Sequence, residues 1–268
     1  MWKKHANSRK CVQKELLVLA SQRKQYILEA LRRDGQVVAK TLAQELNLSE
    51  DTIRRDLREL AQEGLLQRVH GGALPASPAI VDFPQRQQMA TDAKAAIGRA
   101  AAQLIQPGQV VLIDGGTTTG QLVRYLPADL PATIITHSPT IAVALAAHKT
   151  VEVILLGGRL FKHSVVTVGA AALEALSHIH ADTFFMGVTG VHPTAGLTTG
   201  DLEEAYMKRA LSDRAAETVV LASTEKLGVA SPYVIAPVTR ANLLIVEQSV
   251  AEKLVQPYRE LGISLLCV

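Results

Sequence analysis

Cysteine, aromatic residues and long apolar runs are all scarce in this sequence. Its 268 residues include two cysteines, Cys11 and Cys267, near opposite ends and outside any CxxC or Cys/His cluster. Neither a disulfide framework nor a zinc site is therefore expected, and no other cofactor is predicted. So few cysteines indicate a protein of a reducing compartment. Because aromatic residues make up only 4% of the chain, the core must consist mainly of Ala, Val, Leu and Ile.

No apolar run is long enough for a signal peptide or a membrane span. The basic start, with Lys3, Lys4, Arg9 and Lys10, imitates the first part of a signal peptide, but the apolar run at 16–20 covers little more than one helical turn. A soluble, cytoplasmic protein without a membrane partner is expected.

Charge is divided unevenly along the chain. Residues 1–74 carry 14 Lys and Arg against 9 Asp and Glu, a net charge of +5, whereas the remaining residues have a net charge of −2. This division is typical of a small domain that meets a polyanion, joined to a larger domain that does not. From charge alone, a chance imbalance of this size is an equally good explanation.

Hydrophobic periodicity predicts three helices and a β-hairpin near the N-terminus. Apolar residues recur at helical spacing over 21–34, 39–46 and 49–63. The segment LLQRVHGGALP then forms two short stretches around a glycine pair, which is typical of a hairpin or "wing". This order of elements within about fifty residues predicts a winged helix-turn-helix over 20–75.

The third of these helices has two chemically different faces. Ile53, Leu57 and Leu60 share one side of the helical wheel, while arginines occupy the other side and its flank. A B-DNA major groove admits one helix, and arginine suits contacts with both guanine and phosphate. Including phosphate ligands at the helix start, on the second helix and on the wing, the predicted DNA-binding residues are Lys40, Ser49, Thr52, Arg54, Arg55, Arg58, Arg68 and His70.

An ordinary solvated helix face is the alternative explanation for these arginines. Asp56 and Glu59 offer salt-bridge partners near Arg54 and Arg55, and exposed arginines commonly have no ligand. The arrangement of helices and hairpin favours DNA binding over this alternative.

The rest of the chain is predicted to be an α/β domain. Residues 76–91 contain Pro78 and Pro84 among polar residues and are expected to be a linker. Over 92–268, helical stretches alternate with continuously apolar segments, which predicts a mainly parallel sheet covered by helices on both faces. The candidate strands are 110–113, 133–135, 151–155, 183–186, 218–221, 243–246 and 263–268.

Several loops that follow these strands carry small, hydroxyl and basic side chains. The first, DGGTTTG, precedes a helix and suits a phosphate, but no Gly-Lys-Ser/Thr follows, so it is not a nucleotide-triphosphate loop. Plain strand-to-helix turns and a solvated loop lysine are the alternatives. Because such loops converge on one crevice, the predicted effector site comprises Asp114, Gly115, Gly116, Thr117, Thr118, Thr119, Thr136, His137, Ser138, Gly157, Gly158 and Lys226, the last as the phosphate-binding cation.

Residues 23–74, above all TLAQELNLSEDTIRRDLRELAQEGLLQRVHGGAL, resemble the DNA-binding domain of the DeoR/GlpR family of bacterial transcription regulators. The resemblance covers nearly everything after residue 20. It implies that SEDTIRRDL is the recognition helix, that HGGA ends the wing, and that Ser49, Thr52, Arg54, Arg55 and Arg58 face the operator. The first twenty residues lie outside it and are interpreted as a basic arm or a start-codon artefact.

The resemblance also gives expectations for the C-terminal domain. Such domains resemble sugar-phosphate isomerases of the ribose-5-phosphate isomerase type and bind phosphorylated sugars or related intermediates, with DGGTTTG as the phosphate loop. The segment GLTTGDLEEAYMKRAL would line the same site through Glu204 and Lys208, for which a surface i,i+4 ion pair is the alternative. His137 departs from the Asn that is more usual in the family.

A sugar-phosphate isomerase with an accessory helical domain is the main rival function, because an enzyme would use the same pocket. Enediol chemistry needs a base, usually a carboxylate. In the isomerase-like segment MGVTGVHP, Thr189 and His192 stand where such enzymes carry aspartates. Threonine is no base at neutral pH, and His192 has no evident orienting partner, so catalysis is not expected.

The predicted function is that of a DNA-binding transcription regulator, a repressor of a carbohydrate-metabolism operon. Its expected partners are a double-stranded operator, a phosphorylated sugar or similar effector, and further copies of the same chain. A winged-helix protein–protein adaptor is the third hypothesis, which requires that replacing Arg54 and Arg55 leave DNA affinity unchanged.

Overall fold

Two compact units make up the computed structural model, which describes residues 19–268. The first unit ends at Ala76 and the second is Ser77–Val268. Cys11 and the predicted basic arm lie outside the described residues. Within residues 19–268, no helix is both long enough and apolar enough to cross a bilayer.

The N-terminal unit has the predicted three helices and wing. In chain order its elements are α1 (Ala20–Asp34), β1 (Val37–Val38), α2 (Ala39–Leu46), α3 (Glu50–Gln62), β2 (Leu66–Val69) and β3 (Gly72–Pro75). The two-residue strand β1 was not predicted; it pairs with β3, giving an antiparallel sheet of order β1-β3-β2. The winged helix-turn-helix prediction is therefore confirmed.

Local sequence explains where α2 ends and α3 begins. Asn47 closes α2 in the left-handed conformation, with φ of 54°, a region that asparagine tolerates better than most residues. Ser49 then caps α3 by accepting a hydrogen bond from the Thr52 N–H at 3.2 Å. The turn and the cap together fix the direction in which α3 leaves α2.

A single apolar cluster holds the N-terminal unit together. Ile53, Leu57 and Leu60 are at most 2% exposed and pack with residues of α1 and α2, among them Ile27 and Leu42. Burying side chains of this size contributes about 1.5–3 kcal/mol each. One side of α3 is therefore anchored, and its other side faces outward.

The C-terminal unit contains all seven predicted strands, joined in one parallel sheet. Its elements in chain order are α4 (Phe83–Gln87), α5 (Thr91–Ala102), β4 (Val110–Ile113), α6 (Thr117–Arg124), β5 (Thr133–Thr136), α7 (Pro139–Leu145), β6 (Glu152–Leu155), β7 (Arg159–Phe161), β8 (Val166–Val168), α8 (Ala170–Ser177), β9 (Ala181–Gly187), β10 (Gly190–His192), β11 (Gly196–Thr199), α9 (Leu202–Asp213), β12 (Ala215–Leu221), β13 (Tyr233–Ala236), β14 (Leu243–Val246), α10 (Glu252–Glu260) and β15 (Ser264–Cys267).

The order of the large sheet is β15-β14-β12-β9-β4-β5-β6, and every neighbouring pair is parallel. Successive residues of a strand point to opposite faces, so Phe184 belongs to one buried cluster and Phe185 to the other. Chain order reverses between β4 and β9, because β5 and β6 add on one side and β12, β14 and β15 on the other. Ligand crevices of open α/β sheets lie at such a reversal.

Three features of this unit were not predicted. The strands β7 and β8 form an antiparallel hairpin, and β10, β11 and β13 form a small antiparallel sheet beside the main one. The segment expected to be a linker contains α4 and a 3₁₀ turn at Pro78–Ile80.

Candidate DNA-binding surface and effector pocket

The outward side of α3 presents three exposed arginines. Arg54 is held by Glu50 of the preceding turn at 2.8 Å, with Asp51 at 3.8 Å. Among residues 19–268, no carboxylate lies within ion-pair distance of Arg55 or Arg58. Two guanidinium groups of this helix therefore retain their full hydrogen-bonding capacity for a partner.

The alternative of local salt bridges was wrong for Asp56 and Glu59. Asp56 is 1% exposed and forms a two-point ion pair with Arg23 of α1, including an Nη2–Oδ1 contact of 2.8 Å. Glu59 instead contacts Lys24 of α1 at 3.1 Å. Both carboxylates bind α1 to α3, because the helical wheel places them on the flank that faces α1.

The other predicted DNA-binding residues are distributed around this surface within the N-terminal unit. Ser49 and Thr52 lie at the start of α3 and share a hydroxyl contact of 2.9 Å. Lys40 on α2, Arg68 on β2 and His70 in the wing turn are all exposed. The eight predicted residues thus lie on α2, at the start and along the outward side of α3, and on the wing.

The second candidate site is a small polar pocket, with a cavity volume of about 30 Å³, at the carboxyl ends of β4 and β9. That position is the reversal point of the large sheet. The lining residues are Arg86, Gly115, Gly116, Thr117, Thr118, Thr119, Gly187, Val188, Thr189, Thr199, Glu204, Lys208 and Lys226. Polar groups that converge at such a position are typical of a ligand site.

The glycine-threonine loop forms one wall of this pocket. Gly115 is required by a close approach, because a Cβ there would lie 2.1 Å from Val166 Cγ1. Gly116 precedes α6 with φ of 150°, and no side chain caps the first turn of that helix. Uncapped N–H groups at a helix start, next to threonine hydroxyls, attract an anion.

Lys226 faces the loop from the opposite wall. It is 6% exposed, and its ammonium donates a hydrogen bond to Thr118 Oγ1 at 3.2 Å. Burial lowers the pKa of Lys226 to about 8; attraction to Glu225 opposes this shift, while repulsion from the neighbouring cations Lys94 and Arg86 adds to it. Within the described part of the chain, no carboxylate lies close enough to form an ion pair with it. An anionic ligand would relieve this repulsion.

Behind the loop, Asp114 is the centre of a buried polar network. Its carboxylate accepts hydrogen bonds from His137 Nε2 at 2.8 Å, from the Gly187 N–H at 2.8 Å and from the Lys208 ammonium. Burial acts to raise the pKa of Asp114, but attraction to Lys208 and the hydrogen bonds outweigh it, so the pKa lies below its usual value. His137 Nδ1 also contacts Thr167 O at 2.8 Å. The network fixes the β4 loop against β5, β8 and α9.

Glu204 and Lys208 are not a surface ion pair. They are 4% and 3% exposed, their charged atoms are 3.8 Å apart, and both line the pocket. The Ser164 hydroxyl donates to Glu204 Oε2 at 3.1 Å. The Thr199 hydroxyl also lies 3.5 Å from Glu204 Oε2. Because an ionised carboxylate has about four acceptor positions, Glu204 can still accept a hydrogen bond from a ligand hydroxyl.

The predicted effector residues fall into three groups. Those that line the pocket are Gly115, Gly116, Thr117, Thr118, Thr119, Glu204, Lys208 and Lys226. Four lie behind the loop with no exposed surface, namely Asp114, Thr136, His137 and Ser138. Gly157 and Gly158 are exposed between β6 and β7 and lie outside the pocket lining.

Arg86 lines the pocket but was not predicted, because it lies in the segment that was expected to be a linker. A basic residue among prolines and glutamines gives no periodic signal. Its place in the pocket depends on how α4 packs, which the sequence pattern does not show.

The two positions discussed for the isomerase have structural roles. The Thr189 hydroxyl contacts Thr198 O at 3.2 Å and Ser231 Oγ at 2.7 Å. His192 Nδ1 accepts hydrogen bonds from the N–H groups of Thr194 and Ala195, which closes the turn between β10 and β11. His192 is not among the lining residues. Neither residue supplies a base to the pocket.

A winged helix-turn-helix followed by an α/β unit with its own polar pocket defines the class of two-domain transcription regulators. Comparison with known families matches residues 23–78 to the DeoR-like helix-turn-helix domain and residues 89–248 to the DeoR C terminal sensor domain. The chain belongs to the DeoR family of DNA-binding transcription regulators and is not an enzyme.

Curated relatives agree over most of the chain. The HTH-type transcriptional regulator GlpR of Haloferax volcanii is 36% identical over 79% of this chain and 83% of its own length. The HTH-type transcriptional repressor GlcR of Bacillus subtilis is 32% identical over 83% of this chain and 86% of its own. Among solved structures, ribose 5-phosphate isomerase A of Methanocaldococcus jannaschii aligns with a TM-score of 0.38 and 19% identity, over 51% of this chain and 54% of its own.

Proposed function

We propose that this regulator is a repressor of a carbohydrate-metabolism operon and that a phosphorylated sugar or related metabolite, bound in the pocket, releases it from its operator. The observation that carries the proposal is the buried ammonium of Lys226, which has no carboxylate partner in residues 19–268 and faces the start of α6. Repression is suggested by the name of GlcR, a relative of similar length.

A phosphate monoester matches the charges of the pocket. Lys226, the uncapped start of α6 and the hydroxyl of Thr118 together offer positive charge and several donors at one end. At the other end, Glu204 offers an acceptor for a sugar hydroxyl. A ligand with one anionic end and one hydroxylated end would satisfy both walls, whereas an unphosphorylated sugar would leave the Lys226 end without an anion.

Operator binding is assigned to α3 and the wing. Arg55 and Arg58 have no local ion-pair partner among the described residues, which favours contacts with bases and phosphates over a merely solvated face. Ser49, Thr52 and Arg54, with Lys40, Arg68 and His70, would position the helix through the DNA backbone.

The functional species is proposed to be a homo-oligomer, which would present two recognition helices to half-sites one helical turn or more apart. The edge strand β6 supports self-association, because among residues 19–268 it pairs only with β5, and it exposes Ile154 and Leu155. Val143, which is 75% exposed, lies on α7, a helix that packs against β6. A second copy pairing along β6 would cover an edge that soluble proteins usually protect.

The test is operator binding with and without candidate effectors. Fluorescence anisotropy with a DNA fragment from upstream of the gene measures affinity alone and with a panel of sugar phosphates, each matched by the unphosphorylated sugar. One phosphorylated compound is expected to weaken operator affinity by about 5- to 150-fold. Lys226→Gln should abolish this response without changing affinity in its absence, while the exposed Lys149→Gln serves as the matched control. Specific DNA binding that no sugar phosphate alters would contradict the effector assignment.

A further inference from the structure

Arg86 is a partly buried cation of the pocket that lies on α4, close in sequence to the DNA-binding unit. Its Nη2 donates a hydrogen bond to Ser164 Oγ at 3.1 Å. Its Nε–H is shielded from solvent and has no hydrogen-bond partner among residues 19–268. Burial lowers the pKa of Arg86, although attraction to Glu204 and Asp114 offsets part of the effect. An acceptor is therefore missing at this position of the pocket wall.

The other cations near the pocket are already engaged, with the exception of Lys226. The Lys208 ammonium is bound to Asp114, and the Lys94 ammonium donates to the backbone carbonyl of Arg86 at 2.5 Å. Arg86 and Lys226 are the two lining cations without a carboxylate partner in the described part of the chain. Two such cations on one pocket suit an anion with two negative charges.

The residues around Arg86 form a segment that is attached to the sensor unit by a small set of identifiable hydrogen bonds, among them the Ser77 N–H to Ala230 O at 3.2 Å. We call Ser77–Ala90 the strap. The Ser77 hydroxyl donates to Thr189 O, the Phe83 N–H donates to His163 O at 2.9 Å, and His163 Nε2 contacts Ile80 O at 3.0 Å. Arg86 provides the contact between the strap and the pocket itself.

We propose that Arg86 binds the anionic group of the effector through its unpartnered Nε–H, which makes the strap part of the effector site and ties it more firmly to the sensor unit when the pocket is occupied. This inference rests on the proposed function. It adds that a bound effector first restrains the strap, the segment that follows directly after the last residue of the DNA-binding unit, Ala76. Ser164 relays the same event, because it contacts both Arg86 and Glu204.

The experiment uses the full-length protein and inorganic phosphate, with chloride at matched ionic strength. Calorimetry measures phosphate affinity, and hydrogen–deuterium exchange measures protection of peptides that cover 77–94. The variants are Arg86→Gln, the pocket variant Lys226→Gln, and Arg99→Gln as the control. Arg99 is exposed on α5, stacks 4.9 Å from the Tyr125 ring and does not line the pocket.

In the wild-type protein and in Arg99→Gln, phosphate is expected to slow exchange in the strap. Arg86→Gln should bind phosphate about tenfold or more weakly, since it loses a charge-assisted hydrogen bond, and should show no slowing of strap exchange even when the pocket is saturated. If Arg86→Gln retains wild-type affinity or still shows slower strap exchange, the proposal for Arg86 is overturned while the effector pocket stands. If the wild-type protein binds no phosphate and Lys226→Gln changes nothing, the proposed pocket fails, and this inference fails with it.

Discussion

Arg23 of α1 and Asp56 of α3 form a buried, two-point ion pair that ties the recognition helix to the first helix. Their side chains are 6% and 1% exposed. Of the acidic residues on α3, Asp56 is the one most deeply buried, and its geometry satisfies both carboxylate oxygens. A charge pair in this position sets how α3 is oriented in the unit, in addition to the apolar contacts beneath it.

We expect Asp56→Ala to destabilise the DNA-binding unit by about 3–5 kcal/mol, because it leaves a buried guanidinium without its partner. Hydrogen–deuterium exchange of peptides from residues 20–76, recorded at increasing denaturant concentration, measures the change in the free energy of unfolding. Glu59→Ala is the control; its partner Lys24 is partly exposed, and the loss should be about 1 kcal/mol or less. Equal effects of the two substitutions would contradict the role given to Asp56.

The three arginines of α3 are expected to contribute unequally to operator affinity. Arg58→Ala and Arg55→Ala should each weaken specific binding by about 1–3 kcal/mol if they contact guanine, and should reduce the salt dependence if they contact phosphate. Arg54→Ala should have a smaller effect, because Glu50 already pairs with that guanidinium. Anisotropy titrations at several salt concentrations distinguish these cases, with the exposed Arg33→Ala, on α1 and paired with Asp34, as the control. Unchanged affinity in an Arg55→Ala, Arg58→Ala double variant would instead support a protein–protein adaptor.

Phosphate-monoester binding is expected to weaken as pH rises through about 8. The pKa of Lys226 in the folded protein is lowered to about 8 from its ordinary 10.5, so the ammonium is lost in the folded state at a lower pH than in the unfolded chain. Above pH 8 the ligand-binding charge disappears, and affinity should fall by up to about tenfold per pH unit. The unliganded unit should simultaneously gain stability between pH 8 and 10.5, since the unfolded chain binds more protons there.

Calorimetric titrations between pH 7 and 9 check this dependence. Lys226→Gln should bind weakly and show a flat profile over that range, whereas Lys149→Gln should behave as the wild type. A steep fall in affinity that persists in Lys226→Gln would assign the titration to another group.

The β6 edge is expected to govern self-association. Leu155→Arg places a charge on an exposed apolar position of the edge strand and should raise the dissociation constant of the oligomer about tenfold or more. Light scattering across a concentration series measures the shift. Leu261→Arg is the control, since Leu261 is similarly exposed but lies next to α10. Dissociation caused by Leu261→Arg and not by Leu155→Arg would move the interface away from β6.

The main sheet could be predicted from sequence because each of its strands is a short, continuously apolar segment between helices. The hairpin of β7 and β8 and the sheet of β10, β11 and β13 could not. The strands β7, β8 and β10 are only three residues long, and β11 pairs with β13, which lies more than thirty residues further along the chain. Pairing of this kind depends on tertiary contacts, not on local pattern.

The structure brings together some of the predicted effector residues and separates others. Loops after β4, β9, β12 and the start of α9 do meet at one pocket. Gly157 and Gly158 follow β6, which lies two strands from β4, a distance of about 10 Å. His137 follows β5, the immediate neighbour of β4, but its ring faces Asp114 inside the fold. Residue type alone does not distinguish a side chain that lines a pocket from one that supports the wall behind it.

The backbone shape of the wing depends on its glycine pair, whereas its proposed DNA contacts come from other residues. A Cβ on Gly72 would lie 1.9 Å from the carbonyl oxygen of Val37, and the Ala39 N–H is bound to Gly71 O at 2.8 Å. The position of the wing is therefore set by backbone packing in which the side chains of Arg68 and His70 take no part. If these two exposed side chains contact the DNA backbone as proposed, substitutions there would alter the strength of operator binding while the hairpin keeps its course, so affinity could be adjusted without refolding of the unit.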